Sequence, residues 1–132
     1  MNAFRLAEQY GPLLGRVLLM MLFIISGVHK ITGFEGTAGY MASKGLPMPS
    51  VLLIIAAIVE LGGALLIVLG WHARWGALAI FLYVIPVTLV FHPFWAVEGQ
   101  LWAFWKNIAL MGAMLYIMAY GPGPISVDKA RR

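Results

Sequence analysis

Residues 51–70 form an apolar segment long enough to cross a bilayer as a helix, and a single carboxylate, Glu60, lies near its middle. The segment predicts a membrane span, which places Glu60 near the bilayer midplane. An ionised group at that depth costs at least about 2.5 kcal/mol, even on the most permissive insertion scale. The chain must therefore compensate for Glu60 with a partner, a bound proton or a function.

Composition extends this prediction from one segment to the whole chain. Hydrophobic residues make up 62% of the 132 residues and charged residues 11%, whereas soluble domains carry about a quarter charged residues. The absence of cysteine excludes disulfides, thiolate metal sites and a dithiol redox cycle within the chain. The net charge of +4 lies mainly at the chain ends, which is typical of membrane orientation, and no nucleic-acid partner is expected.

Four apolar segments are long enough to span a bilayer, at about residues 12–28, 51–69, 75–91 and 101–119. They predict an all-α integral membrane four-helix bundle, formed by residues 1–132 as a single domain. The first outer connection, at about residues 30–50, is too long for a turn. It is predicted to contain a short interfacial helix at about residues 36–43, followed by a proline-rich entry to the second span.

The distribution of basic residues predicts the orientation of the spans. They lie before the first span, between the second and third spans, and after the fourth: Arg5, Arg16, Arg74, Lys129, Arg131 and Arg132. The connection between the third and fourth spans contains Glu98 and no lysine or arginine. The positive-inside rule therefore places both termini in the cytoplasm. Arg16 and Arg74 are predicted to anchor the chain at the lipid headgroups and to fix its topology.

Most of the other polar groups at membrane depth are predicted to meet in the outer half of the bundle. At a rise of about 1.5 Å per residue, Glu60 lies roughly 13 Å below the outer end of the second span. Small residues three and four positions from Glu60 predict that it faces other helices rather than lipid. All four spans contribute to the predicted ligand pocket, which consists of Ser26, His29, Lys30, Glu60, Thr88, His92, Lys106 and Asn107.

Three interpretations of Glu60 remain open at this point. It could form a structural ion pair with Lys106 or Lys30, act in a substrate or cofactor site, or be protonated and hydrogen-bonded to a neighbouring span. His29 and His92 could be ordinary hydrated side chains at the membrane interface. With no recognised ligand spacing, no metal site is predicted. Most aromatic residues fall near predicted span ends, as an aromatic belt requires.

Several motifs resemble, in order, those of DoxX-type membrane proteins. They are Gly15-Arg16, residues 26–30 (SGVHK), 59–63 (VELGG), 69–74 (LGWHAR), 92–94 (HPF) and 106–110 (KNIAL). The resemblance covers roughly residues 14–116. It implies a four-helix, multi-pass protein of the bacterial inner membrane. It also implies a link to redox chemistry, because the family name comes from a subunit of a terminal-oxidase and thiosulfate:quinone oxidoreductase system.

The resemblance and the predicted pocket together suggest a component of a quinone-linked or oxidative-stress-related redox system. In this hypothesis the pocket binds a quinone headgroup, and Glu60 is the candidate catalytic acid that handles the coupled protons. The sequence shows no flavin, nucleotide or iron–sulfur motif, so no cofactor is expected within the chain and electrons would come from another subunit. The chain would thus be at most a membrane subunit of an oxidoreductase.

Two other functions are compatible with the same sequence. The chain could be a non-catalytic structural or assembly subunit of a larger membrane complex, in which Glu60 only fixes the bundle. It could also be a small transporter, which four short helices would form only as an oligomer. The expected partners are the lipid bilayer and either other membrane or redox subunits or further copies of the chain.

Overall fold

The computed structural model describes residues 2–130 and consists of helices joined by short connections. The helices are α1 (Ala3–Thr32), α2 (Phe34–Ser43), α3 (Pro49–Leu69), α4 (Ala73–Phe91), α5 (Leu101–Tyr120) and α6 (Val127–Ala130). Four of them, α1, α3, α4 and α5, are long and apolar enough to cross a membrane. The predicted all-α fold with four membrane helices is confirmed. Arg131 and Arg132, used above to predict orientation, lie outside the described residues.

The first helix is longer than the predicted span of residues 12–28. It begins at Ala3, where the side chain of Asn2 accepts a hydrogen bond from the backbone N–H of Arg5 at 2.9 Å. It continues through Pro12 and ends only at Gly33. The residues before Pro12 are mostly good helix formers, so the helix extends past the apolar segment that defined the predicted span.

A tight turn joins α3 to α4. Gly70 and His72 both adopt left-handed backbone conformations, with φ of 69° and 49°. The carboxylate of Asp128 accepts hydrogen bonds from the backbone N–H groups of His72 and Ala73, at 2.8 and 3.0 Å. A residue from the far end of the chain therefore caps the first turn of α4. We call the half of the bundle that contains this turn the hairpin half.

The membrane helices pack in the order α1, α3, α4, α5, each against the next. Their shared core lies largely in the hairpin half and consists of Met20, Phe23, Ala64, Ile67, Ala73, Ala77, Ile80, Val84, Leu110, Met114 and Ile117. Glycine allows the closest approach: a Cβ placed on Gly63 would lie 2.8 Å from the side chain of Ile80. The hairpin half is therefore the densely packed half of the molecule.

The opposite half is covered by α2, and we call it the α2 half. A Cβ on Gly27 of α1 would overlap the side chain of Leu61 of α3, so these two residues lie at the same level. Counting along both helices from this contact, α1 ends about 10 Å short of the Pro49 end of α3. The short helix α2 packs against α3 and α1. The ring of Tyr40 in α2 stacks on that of Phe91 in α4, with centroids 5.7 Å apart.

Candidate functional site

Glu60 lies near the middle of α3 and is 3% exposed. Its helical neighbours on the same face, Ala56, Ala57, Gly63 and Ala64, are also buried. The side chain therefore faces the interior of the bundle. Small residues on this face let α1 and α4 approach the carboxylate closely.

Two donors meet at one oxygen of this carboxylate. The ammonium of Lys30 lies 2.9 Å from Glu60 Oε1, and the phenol of Tyr83 donates to the same oxygen at 2.6 Å. Lys30 also donates to Ser26 Oγ at 2.8 Å, one turn earlier on α1. Glu60 Oε2 is buried and has no hydrogen-bond partner among residues 2–130. The charge is compensated, while one oxygen keeps its capacity to accept a hydrogen bond.

A cavity of about 540 Å³ lies in the α2 half, beside Glu60. Side chains from α1 to α5 line it, and most of them are apolar. Its polar lining residues are Ser26, Lys30, Thr37, Tyr40, Glu60, Tyr83, His92, Lys106 and Asn107. Ligand sites in proteins commonly have this volume and this composition, with apolar walls and few polar groups.

Two of the predicted pocket residues do not line this cavity. His29 is exposed on α1, one residue from Lys30 but on a different face of the helix. Thr88 is buried behind the wall, where its hydroxyl donates to the carbonyl of Val84 at 2.7 Å. The same hydroxyl accepts a hydrogen bond from Asn107 Nδ2 at 3.0 Å. Thr88 therefore joins α4 to α5 and holds Asn107 in the wall.

The other predicted residues do line the cavity, but their partners differ from those considered. Lys106 is exposed and forms no ion pair with Glu60 among residues 2–130, because Lys30 takes that position. His92 Nδ1 is 2.6 Å from Gln100 Oε1, so the imidazole is tied to the residue that precedes α5. Of the partners proposed for Glu60, only Lys30 is found in contact with it.

Sequence reasoning missed Tyr83, although a signal for it was present. Tyr83 is far from both ends of α4, whereas belt aromatics lie at span ends. A buried tyrosine hydroxyl usually finds a hydrogen-bond partner, so a tyrosine at mid-span points to a polar group at the same depth. The partner here is Glu60 of the neighbouring helix α3.

Arg16 does not act as the predicted headgroup anchor. It is 3% exposed, and its guanidinium donates to the carbonyls of Pro122 and Ile125, in the segment after α5. The prediction was wrong because a basic residue near a span end looks the same in sequence whether it faces lipid or a returning segment. Arg74, in contrast, is exposed at the start of α4.

A metal site needs several ligating side chains close together. No group of three or more histidine, aspartate or glutamate side chains in residues 2–130 could hold a metal ion. The exposed position of His29 separates it from Glu60 and His92.

Comparison with known proteins identifies a family and several relatives. The sequence model of the DoxX family matches residues 11–93. The inner membrane protein YphA of Escherichia coli (strain K12) is 39% identical over 122 residues, which cover 89% of this chain and 87% of that protein. The inner membrane protein YqjF of the same organism is 34% identical over 122 residues, covering 92% of both chains.

A third relative carries an enzyme name. The putative oxidoreductase CatD of Bacillus subtilis (strain 168) is 36% identical over 66 residues, which cover 50% of this chain and 48% of that protein. No solved structure matches the chain.

Proposed function

The chain belongs to the DoxX family, and we propose that it is an inner-membrane protein that binds a quinone-type headgroup in the cavity of the α2 half. In this proposal the protein is the membrane component of a redox system. The supporting names are those of its relatives, two inner membrane proteins and a putative oxidoreductase. The α2 half is the one that the positive-inside rule places outward.

The observation that carries the proposal is the buried, unpaired Oε2 of Glu60 beside a cavity of about 540 Å³. A buried polar atom without a partner is uncommon and requires an explanation. A ligand hydroxyl that donates to Oε2 would satisfy it. A quinol offers such a hydroxyl on a flat apolar ring, and the apolar walls suit the ring.

Exposure of the lining residues supports entry from the bilayer. Leu22 of α1 and Ile55 of α3 line the cavity and are also 40% and 51% exposed. Pro86 of α4 likewise lines the cavity and is exposed. All three belong to membrane-spanning helices, so the cavity communicates with the lipid phase. A lipid-soluble ligand is therefore favoured over a water-soluble one.

The polar end of the cavity suits the proton side of quinone chemistry. Reduction of a quinone to a quinol consumes two electrons and two protons. Tyr83 and Lys30 are donors that already touch Glu60 and could pass protons to a ring oxygen. The electrons would come from a partner redox protein, since the sequence carries no flavin or iron–sulfur motif.

The test is quinol binding by a Glu60→Gln variant. Glutamine keeps the shape of the side chain and removes its charge, so we expect the affinity for decylubiquinol, kept reduced under argon, to fall about tenfold or more. Equilibrium dialysis of purified protein in detergent micelles measures this. The control is Glu98→Gln, an exposed acid between α4 and α5 whose replacement should leave the affinity unchanged.

Circular dichroism and gel filtration would show that the Glu60→Gln protein is folded. If it is folded and binds decylubiquinol as tightly as the unmodified protein, the proposal is wrong. Absence of decylubiquinol binding by the unmodified protein would also overturn it.

The Lys30–Glu60 ion pair favours a second candidate, a non-catalytic subunit in which these side chains only fix the bundle. In that case Glu60→Gln would lower stability without changing the affinity for decylubiquinol. A protein partner that remains bound during mild purification would support this alternative.

A further inference from the structure

A second cavity, of about 520 Å³, lies at the end of the hairpin half. It is bordered by the start of α4 and by the segment that follows α5. Its lining includes Arg74 and Trp75 from α4, Tyr120 from α5, and Asp128 and Lys129 from the C-terminal segment. None of these residues belongs to the cavity beside Glu60.

Buried hydrogen bonds fix the wall of this cavity. Arg16 donates to the carbonyls of Pro122 and Ile125, which holds the segment after α5 against α1. Backbone N–H of Asp128 donates to the carbonyl of Gly70 at 2.8 Å, which attaches the same segment to the α3–α4 turn. The segment that forms this wall is therefore held in place at both of its sides, and the cavity is a fixed part of the fold.

The charges in this cavity are unbalanced. Arg74 and Lys129 are exposed, and no hydrogen bond or ion pair joins either cationic group to another residue of 2–130. Asp128 is the acidic residue of the lining, and its carboxylate already accepts from two backbone N–H groups at the start of α4. The cavity therefore has two cationic side chains that no acid of residues 2–130 pairs with, because the carboxylate of Asp128 is already hydrogen-bonded to the backbone of α4.

We propose that this cavity binds the phosphate of an anionic phospholipid, with Arg74 and Lys129 as its ligands. Basic pockets at the ends of membrane helices recognise such headgroups. Trp75 and Tyr120, which are 70% and 79% exposed, flank the cavity and suit the boundary between headgroups and acyl chains. This site is independent of quinone binding in the α2 half.

The test uses the full chain in nanodiscs that contain phosphatidylglycerol and phosphatidylcholine in a ratio of 1:4. Native mass spectrometry then measures which lipids the protein retains. A double variant, Arg74→Gln with Lys129→Gln, should retain phosphatidylglycerol about 25-fold less well, since each cation near a membrane surface contributes roughly fivefold. Both side chains are exposed and have no hydrogen-bond or ion-pair partner in residues 2–130, so the variant should fold.

The matched control is Arg5→Gln with Lys44→Gln, which removes the same charge from exposed positions outside the cavity. We expect it to retain phosphatidylglycerol like the unmodified protein. Retention of phosphatidylglycerol by the Arg74 and Lys129 variant at the level of the unmodified protein would overturn the proposal, as would retention of the two lipids by the unmodified protein in their 1:4 bulk ratio. If inorganic phosphate at 10 mM displaces the bound lipid completely, the site is one for soluble phosphate and the lipid proposal is wrong.

Discussion

At the scale of single residues, the contact between Lys30 and Glu60 shows how the bundle tolerates an acid in its interior. The two charged atoms are 2.9 Å apart, with Glu60 almost fully buried and Lys30 about a fifth exposed. Burial of both partners costs desolvation energy that their attraction largely offsets. Removing one partner should therefore cost far more than removing both.

Lys30→Met should destabilise the protein by about 3 kcal/mol, the lower end of the range for a broken buried pair, because Lys30 is partly exposed. The double variant Lys30→Met with Glu60→Met should recover most of this loss. Unfolding in mixed micelles, followed by circular dichroism, measures the free energy of unfolding. Lys106→Met is the control, since Lys106 lines the same cavity without an ion pair to Glu60. A double variant as unstable as the single one would contradict this account.

Glu60 and Tyr83 also show how far sequence alone could locate the site. The length of an apolar segment placed Glu60 at mid-membrane, and the small residues three and four positions away were enough to predict that it faces the bundle interior. The sequence alone could not show whether Lys30 or Lys106 pairs with Glu60, because the answer depends on which helices are neighbours. In the structure α1 packs extensively against α3, whereas α5 packs mainly against α4, so the lysine of α1 reaches Glu60.

At the scale of helices, the contact of α3 with α4 depends on glycine at one of two adjacent positions. A Cβ on Gly63 would lie 2.8 Å from Ile80, whereas a Cβ on Gly62 would meet no atom within 4 Å. Gly63→Ala should therefore destabilise the bundle by about 1–3 kcal/mol. Gly62→Ala should leave the stability unchanged or slightly raise it, because alanine favours the helix. The same unfolding measurement tests both, and equal effects would refute the proposed close packing.

The bounds of helices were predicted less well than their number. Hydropathy located four spans because each apolar segment is long enough to cross a bilayer. It did not locate the start of α1, because a helix can continue beyond the apolar segment when its residues favour helix and a cap is present. The cap at Asn2 and the residues before Pro12 supply both conditions.

At the scale of the whole molecule, the fold places the dense core and the cavity beside Glu60 in different halves. The hairpin half holds most of the buried core, whereas the α2 half contains the cavity beside Glu60. Rigid packing at one end can keep the helices in place while the other end admits a ligand. The orientation of these halves in the membrane rests on the positive-inside rule and remains a prediction.

The absence of cysteine makes that orientation simple to test. Glu98→Cys places a thiol between α4 and α5, and Lys129→Cys places one in α6, at the opposite end of the bundle. We expect a membrane-impermeant maleimide to label the Glu98→Cys protein in cells with a permeabilised outer membrane. It should label Lys129→Cys only after the inner membrane is disrupted. The reverse pattern would invert the predicted topology.

The hydrogen bonds from Arg16 to the carbonyls of Pro122 and Ile125 join residues 106 and 109 positions apart in the chain. During synthesis, α1 leaves the ribosome long before either acceptor has been made. Until then the protein acceptor of the guanidinium is the carbonyl of Val68 in α3, at 3.4 Å, and its other N–H groups can donate to water or to lipid phosphate oxygens. A nascent chain that terminates before Pro122 never acquires these acceptors. These two hydrogen bonds can therefore form only after synthesis has passed Ile125, so the end of the hairpin half is among the last parts of the molecule to close.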